Sequence, residues 1–132
     1  MRKTELRVSD LMTTAIVTVK ATDTITSANA EMKVGAMRHL PVVDDRGRLI
    51  GVLSDRDVLH ERGAKRIAEV MTRNVETVRP EAPAADAASI MLEHKISSVL
   101  VTDENGTLVG MVTQTDYLDL ARRSLLGLPL ER

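Results

Sequence analysis

Gly51-Val52-Leu53-Ser54-Asp55-Arg56-Asp57 and Gly110-Met111-Val112-Thr113-Gln114-Thr115-Asp116 are one pattern written twice, 59 positions apart. Both read Gly-x-x-(Ser/Thr)-x-x-Asp, and the likeness spreads upstream from them. Shifted by 59, residues 8–59 lie on residues 67–118 without a gap. Met12-Thr13 falls on Met71-Thr72, Thr18-Val19 on Thr77-Val78, Ala28 on Ala87 and Met32 on Met91. Val42 falls on Val101, and Asp44 with Gly47 on Asp103 with Gly106. A gapless repeat of this length implies two copies of one supersecondary unit, each burying the other's apolar face. Two like units about a pseudo-twofold also leave a cleft between them, lined twice by the same polar residues.

Each copy predicts the order β-α-β-β-α. In the first, Ile16-Val17-Thr18-Val19 is a short β-rich run. Asp23 or Thr24 then offers an N-cap to a helix carrying Ile25, Ala28 and Met32, with Gly35 at its end. Leu40-Pro41-Val42-Val43 reads as a strand whose proline points to an edge or a strand start, because proline cannot donate to a ladder. Asp44-Asp45-Arg46-Gly47 turns the chain, residues 48–53 return, and Ser54-Asp55 opens a second helix through Val58-Leu59. The second copy repeats this with a strand at 75–78 and Pro83 at a first helical position. Its helix carries Ala87, Ile90 and Met91, its hairpin spans 98–112, and a closing helix starts near Thr113. The linker at about 61–66 is short and charged, so the halves are expected to pack side by side.

Composition narrows the class. At 132 residues the chain is one domain's worth, and a net charge of −1 steers it toward neither nucleic acid nor a membrane. The absence of cysteine excludes disulfides, thiolate metal sites and thiol nucleophiles. Met1-Arg2-Lys3-Thr4-Glu5-Leu6 lacks the apolar run of a signal peptide, and no stretch approaches a membrane span, so the expected location is cytoplasmic. With one Tyr and no Phe or Trp, the core must be Val, Leu, Ile, Met and Ala. A planar ligand would then lie between aliphatic side chains.

The doubled Gly-x-x-(Ser/Thr)-x-x-Asp carries the chemistry. The Gly, inside a strand, allows a backbone or a ligand to come close. The Ser or Thr stands at a strand-to-helix junction, where its hydroxyl and the free N–H groups suit an anion such as phosphate. The Asp, one turn on at an exposed helix start, faces the same way and suits a vicinal diol. Phosphate beside a diol-binding acid outlines a nucleotide site. The same pattern also describes a capping box, the hydroxyl and the acid satisfying backbone donors; its recurrence in both halves favours the ligand.

These features together resemble a tandem pair of CBS domains, a Bateman module. The resemblance rests on Met12-Thr13 and Met71-Thr72, on Thr18-Val19 and Thr77-Val78 before a helix, on Leu40-Pro41-Val42-Val43-Asp44 with Gly47, and on the two doubled stretches. It covers residues 8–117. It implies an α+β fold of two β-α-β-β-α CBS repeats, residues 8–60 and 67–124, related by a pseudo-twofold and packed through their sheets. It also implies a non-catalytic regulatory module for AMP, ADP or ATP. An S-adenosylmethionine sensor or a ligand-independent dimeric scaffold are the alternatives.

In that family the Asp holds the ribose hydroxyls, the Ser or Thr meets phosphate, and the other repeat completes the site. Carried onto this chain, one site comprises Thr113 and Asp116 with Val17, Met37, Arg38 and His39. Its mate comprises Ser54 and Asp57 with Glu76, Ile96, Ser97 and Ser98. Arg38 and His39 offer donors to phosphate and Val17 an apolar wall to adenine, so the first is expected to be tighter. Glu76 either repels phosphate or accepts from the adenine amino group. His39 is equally a half-exposed strand-edge residue, while His60 and His94 read as helix-end cations complementing the dipole. The second half departs from the family's Leu-Pro-Val-Val with Val99-Leu100-Val101-Thr102.

No enzyme motif or metal-ligand cluster appears, so no catalytic or metal-binding residue is assigned. No resident cofactor is expected; Asp55-Arg56-Asp57 is acidic enough to suggest a Mg2+ contact alongside ATP, but such a cluster is more often only a capped first helical turn. The resemblance implies a homodimer joined through helices and an unidentified protein regulated by the ligand. The apolar tail Leu125-Leu126-Gly127-Leu128-Pro129-Leu130 has no counterpart in the first half. It either folds back on its own domain or covers a subunit contact.

Overall fold

A computed structural model of the chain describes residues 5–35, 37–59 and 65–130. Along the first repeat run α1 (Val8–Leu11), β1 (Val19–Lys20), α2 (Ile25–Gly35), β2 (His39–Val43), β3 (Leu49–Ser54) and α3 (Asp55–Leu59). A 3₁₀ turn (Ile67–Glu69), β4 (Thr77–Val78), α4 (Ala84–His94), β5 (Ser98–Thr102), β6 (Leu108–Thr113) and α5 (Gln114–Leu125) follow. The expected α+β order β-α-β-β-α is present in both copies, each preceded by one short helical turn. His60 and most of the expected linker lie outside the described residues.

The compact units are not cut where the repeats are. Val17–Val75 forms one, continuous in sequence; Met1–Ile16 with Glu76–Arg132 forms the other, split in two pieces. The turn that opens each repeat is thus built into the unit that holds the other repeat's sheet. Val8 and Leu11 are buried in one apolar cluster with Val78, Ala87, Met91, Val99, Val101 and Val112. Ile67 and Met71 are buried in the equivalent cluster with Val19, Ala28, Met32, Leu40, Val42 and Leu53. The burial of one fully enclosed Leu or Ile, about 1.5–3 kcal/mol, favours each exchange.

Each unit holds one three-stranded sheet, in order β1-β2-β3 and β4-β5-β6, with the first pair parallel and the second antiparallel. The hairpin registers repeat at the same 59-residue shift: His39 faces Ser54 as Ser98 faces Thr113. Both hairpins slip register at the same place, between Val42 and Val43 and between Val101 and Thr102. Their turns are set by one carboxylate each. Asp44 Oδ1 accepts the N–H groups of Arg46 and Arg48, both at 2.9 Å, and Asp103 Oδ1 those of Asn105 and Thr107, also at 2.9 Å. Gly47 (φ 80°) and Gly106 (φ 82°) supply the left-handed residue that closes them. The Arg48 backbone bond, chief among several, holds the Asp44 carboxyl below its usual range.

Three local expectations need correction. The first strand of each repeat is only two residues long, so Val17 and Glu76 precede β1 and β4 rather than lying in them. Pro41 stands in the middle strand of its sheet, not at an edge. It is tolerated because β1 reaches β2 only at Val42 and Val43, and because Val52 opposite turns its N–H and C=O outward to Thr72. Where the second half has Leu100 instead, that same position pairs with Thr77. Pro83, finally, is the N-cap of α4 and not its first helical residue.

Thr24 caps α2, its Oγ1 accepting the Ser27 N–H at 3.2 Å. Gly35 ends that helix, but without a left-handed conformation; in α4 the left-handed residue is Lys95 (φ 54°). In both cases the backbone closes alike, Met37 N–H donating to Met32 O and Ile96 N–H to Met91 O. The tail folds back only in part. α5 ends in a left-handed Gly127 (φ 70°) with Leu128 N–H on Arg123 O, and Leu130 returns to a groove of about 680 Å³ floored by Leu6, Ala84, Ala88, Tyr117 and Leu120. Leu125, Leu126 and Leu128 remain exposed.

Candidate functional site

The doubled strand-to-helix turn takes the same form in both units. In the continuous unit, Ser54 N–H donates to Asp57 Oδ2 at 2.9 Å and Asp57 N–H to Ser54 Oγ at 3.1 Å. In the split unit, Thr113 N–H donates to Asp116 Oδ2 at 2.8 Å, the Thr113 hydroxyl lies 3.3 Å from the same oxygen, and the reciprocal half of the box is also formed. The capping geometry anticipated as the plainer reading is therefore real. It is compatible with a ligand, since it aims a hydroxyl, a carboxylate and a helix start at one place.

The glycine that opens each pattern permits the close approach expected of it. A Cβ on Gly51 would lie 2.8 Å from Met71 Sδ and 2.9 Å from the Thr72 carbonyl oxygen; one on Gly110 would lie 2.5 Å from Met12 Sδ. The close approach is made by the chain's own Met-Thr pair. Thr72 and Val52 exchange both backbone bonds at 2.9 Å, and so do Thr13 and Met111. Each Met-Thr therefore adds a one-residue bridge to the outer edge of the hairpin that ends in the box. The signal for this was visible in the doubled Met-Thr, but only its partner glycine explains it.

The residues just before β2 and β5 sit beside the box of their own unit. Asp55 N–H donates to Arg38 O at 2.8 Å, and His39 faces Ser54. Likewise Gln114 N–H donates to Ser97 O at 3.0 Å, and Ser98 faces Thr113. Arg38, His39 and Ser97 are exposed and Ser98 half-buried, whereas Met37 and Ile96 pack against their units' apolar clusters. Within the continuous unit lie Val17, Met37, Arg38, His39, Ser54 and Asp57; within the split unit lie Glu76, Ile96, Ser97, Ser98, Thr113 and Asp116. Val17 is 44% exposed, and Glu76 sits 3.8 Å from His94 Nε2.

The two aspartates differ in one respect that overturns an expectation. Asp116 is buried, 8% exposed, and not at an open helix start, while Asp57 is half-buried. Next to Asp116, the Tyr117 hydroxyl donates to Ala84 O at the start of α4. Burial, then the charges of Asp116 and Asp86, push the Tyr117 phenol up to about 12. Among the described residues, no group of three or more His, Asp or Glu is placed to hold a metal ion. No helix among them is long and apolar enough to cross a membrane.

The CBS-domain family profile matches residues 8–63 and 67–123, and the chain belongs to that family. A CBS domain-containing protein of Dictyostelium discoideum is 28% identical over 138 aligned positions, covering 92% of this chain and 95% of that one. A homoserine O-acetyltransferase of Methanococcoides burtonii is 34% identical over 115, but this chain spans only 24% of its length. Three solved structures share the fold. CBSX2 in complex with AMP has a TM-score of 0.82 at 28% identity, over 90% of this chain and 98% of that one. The CBS pair of MJ0100, in complex with 5'-methylthioadenosine and S-adenosyl-L-methionine, has 0.79 at 30%, over 90% and 98%. The cytosolic domain of the Mg2+ channel MgtE in complex with ATP has 0.77 at 35%, over 83% and 46%.

Proposed function

We propose that this CBS pair is a non-catalytic sensor of an adenosine-containing ligand, with AMP, ADP or ATP ahead of S-adenosylmethionine. The observation that carries the reading is the doubled box. A hydroxyl, a carboxylate and a helix start converge in each unit, beside Arg38 and His39 in one and Ser97 and Ser98 in the other. AMP, ATP and S-adenosyl-L-methionine in the related structures support the class of ligand. The Asp would take the ribose diol and the Ser or Thr a phosphate oxygen. Arg38 ranks the nucleotides first, because a cationic donor meets an anion with a charge-assisted bond. Mg2+ would enter with ATP and not as a resident ion.

Two groupings of the site residues compete. In the first, Thr113 and Asp116 act with Val17, Met37, Arg38 and His39, and Ser54 and Asp57 with Glu76, Ile96, Ser97 and Ser98. The second pairs Arg38 and His39 with the box of their own unit, and the bond from Asp55 N–H to Arg38 O favours it. A thermal-shift panel of adenosine, AMP, ADP, ATP and S-adenosylmethionine, followed by chromatography of the mixtures, tests the function. A ligand at a hundred times its Kd should add about 2.7 kcal/mol of stability and be recovered unchanged. Conversion of a ligand would establish an enzyme, and no shift with any of them would leave a scaffold.

We further propose a cytoplasmic homodimer that acts on a regulated protein, without nucleic acid or membrane as partner. Leu118 (71% exposed) and Leu125 (87% exposed), two turns apart on α5, support a helix-mediated contact. A clean monomer by light scattering at micromolar concentration would remove it.

A further inference from the structure

Tyr117 follows Asp116 on the first turn of α5. Its ring packs against the apolar cluster of the split unit, and its hydroxyl donates to the Ala84 carbonyl at the start of α4. Ala84 is itself fixed: it is buried, and its N–H donates to Leu6 O at 2.7 Å. The first turn of α5 is thus tied to a second helix through the residue next to the acid. The continuous unit cannot make that tie. Shifted by 59, Tyr117 falls on Val58 and Ala84 on Ile25. Val58 packs against its own cluster but has no side-chain donor to give. The Asp beside the tied residue is buried, and the one beside Val58 is half-buried.

We propose that Tyr117 is a positioning residue for the Thr113/Asp116 box: its hydroxyl, by tying the first turn of α5 to Ala84, holds the Asp116 carboxylate ready for a ligand. Apolar packing of the ring would bury the turn but is non-directional. The hydroxyl adds a direction, since a hydrogen bond weakens steeply once its angle falls below about 120°. A carboxylate on a turn that is already oriented need not be ordered when the ligand arrives, and that cost is removed from binding. The Ser54/Asp57 box keeps the cost. The split unit's box therefore has an advantage that does not depend on Arg38. The charges of Asp116 and Asp86 both disfavour ionisation of the phenol, which keeps the hydroxyl a donor. What concerns the ligand here rests on the nucleotide reading above; the positioning itself does not.

Amide hydrogen exchange of the ligand-free, full-length protein reads the box directly. Thr113 N–H donates to Asp116 Oδ2, so its protection reports how firmly the carboxylate is held. In Tyr117→Phe, Thr113 should exchange about two- to tenfold faster, the factor that follows from one lost neutral hydrogen bond. Val99 and Val112, paired across the hairpin that carries the box, should keep their rates, and so should Ser54 in the other box. In Asp116→Ala the acceptor is gone, and adding Tyr117→Phe should change Thr113 no further. In a calorimetric titration with AMP, Tyr117→Phe should weaken, by the same factor, the event that Asp116→Ala removes and spare the one that Asp57→Ala removes. Wild-type protein that takes up no AMP would remove the nucleotide reading, and the exchange rates would then decide the positioning alone. An unchanged Thr113 rate overturns the proposal, as does an Asp116-dependent AMP event of unchanged affinity. A loss of protection shared by Val99 and Val112 also overturns it, because Tyr117 then supports the unit as a whole and not the box.

Discussion

The continuous unit and the split unit build the same hairpin, the same bulge and the same capping box, yet one comes from a single stretch of 59 residues and the other from two ends of the chain. Their boxes differ as well. The Ser54 box holds a half-buried Asp57 and the Thr113 box a buried Asp116. The shared local pattern fixes the local hydrogen bonds, while what packs over the box decides how much of the acid water reaches. Both carboxylates cap their helices, and the enclosed one has more packing to lose when it is removed.

The sharpest way to break the likeness is to empty the exchanged turns. Leu11→Ala and Ile67→Ala each remove a fully buried side chain from a cluster that a distant part of the chain completes. Each should cost about 2–5 kcal/mol by urea denaturation. If the units melt separately, each variant lowers only the transition of the unit that holds it.

Ligand binding comes next. Asp116→Ala should weaken nucleotide binding tenfold or more, from the loss of about 1.5–3 kcal/mol of charged hydrogen bonding. It should also cost about 1 kcal/mol of stability through the lost cap. Asp57→Ala should touch mainly the weaker event in a calorimetric titration; loss of the tight event there would invert the ranking. Arg38→Ala should weaken AMP and ATP and spare adenosine. Combined with each Asp variant in turn, it should be non-additive with the one that shares its site, which separates the two groupings.

The glycines give a smaller contrast. Gly51→Ala should cost about 1–3 kcal/mol, because the Thr72 carbonyl oxygen cannot yield without moving the backbone. Gly110→Ala should cost less, since the three nearest atoms all belong to the Met12 side chain, and Met12→Ala should relieve part of it. The least perturbing test is an ultraviolet titration of Tyr117, the sole aromatic residue. Its midpoint should lie near 12 against the ordinary 10, and Asp116→Asn should lower it by removing one of the charges that raise it. Because the folded value is the higher, folding favours the neutral phenol. That contribution is complete below pH 10 and is lost as the pH rises through about 12.

The sequence alone determined the repeat, the β-α-β-β-α order, the two turns closed by Asp and Gly, and the family. Each of these depends on residues close together in the chain: an apolar period, a cap, a glycine where φ must be positive. It also picked out Ser54, Asp57, Thr113 and Asp116, because a strand-to-helix turn is a local event. Tertiary structure alone decided the rest. That Val8 and Leu11 complete the core of the second repeat, and Ile67 and Met71 that of the first, joins residues far apart in the chain, and no local pattern records it. Pro41 could stand in a middle strand because β1 stops short of it. The burial of Asp116 likewise follows from what packs around α5, since periodicity tells which side of a helix is covered but not how far the cover extends to its first turn.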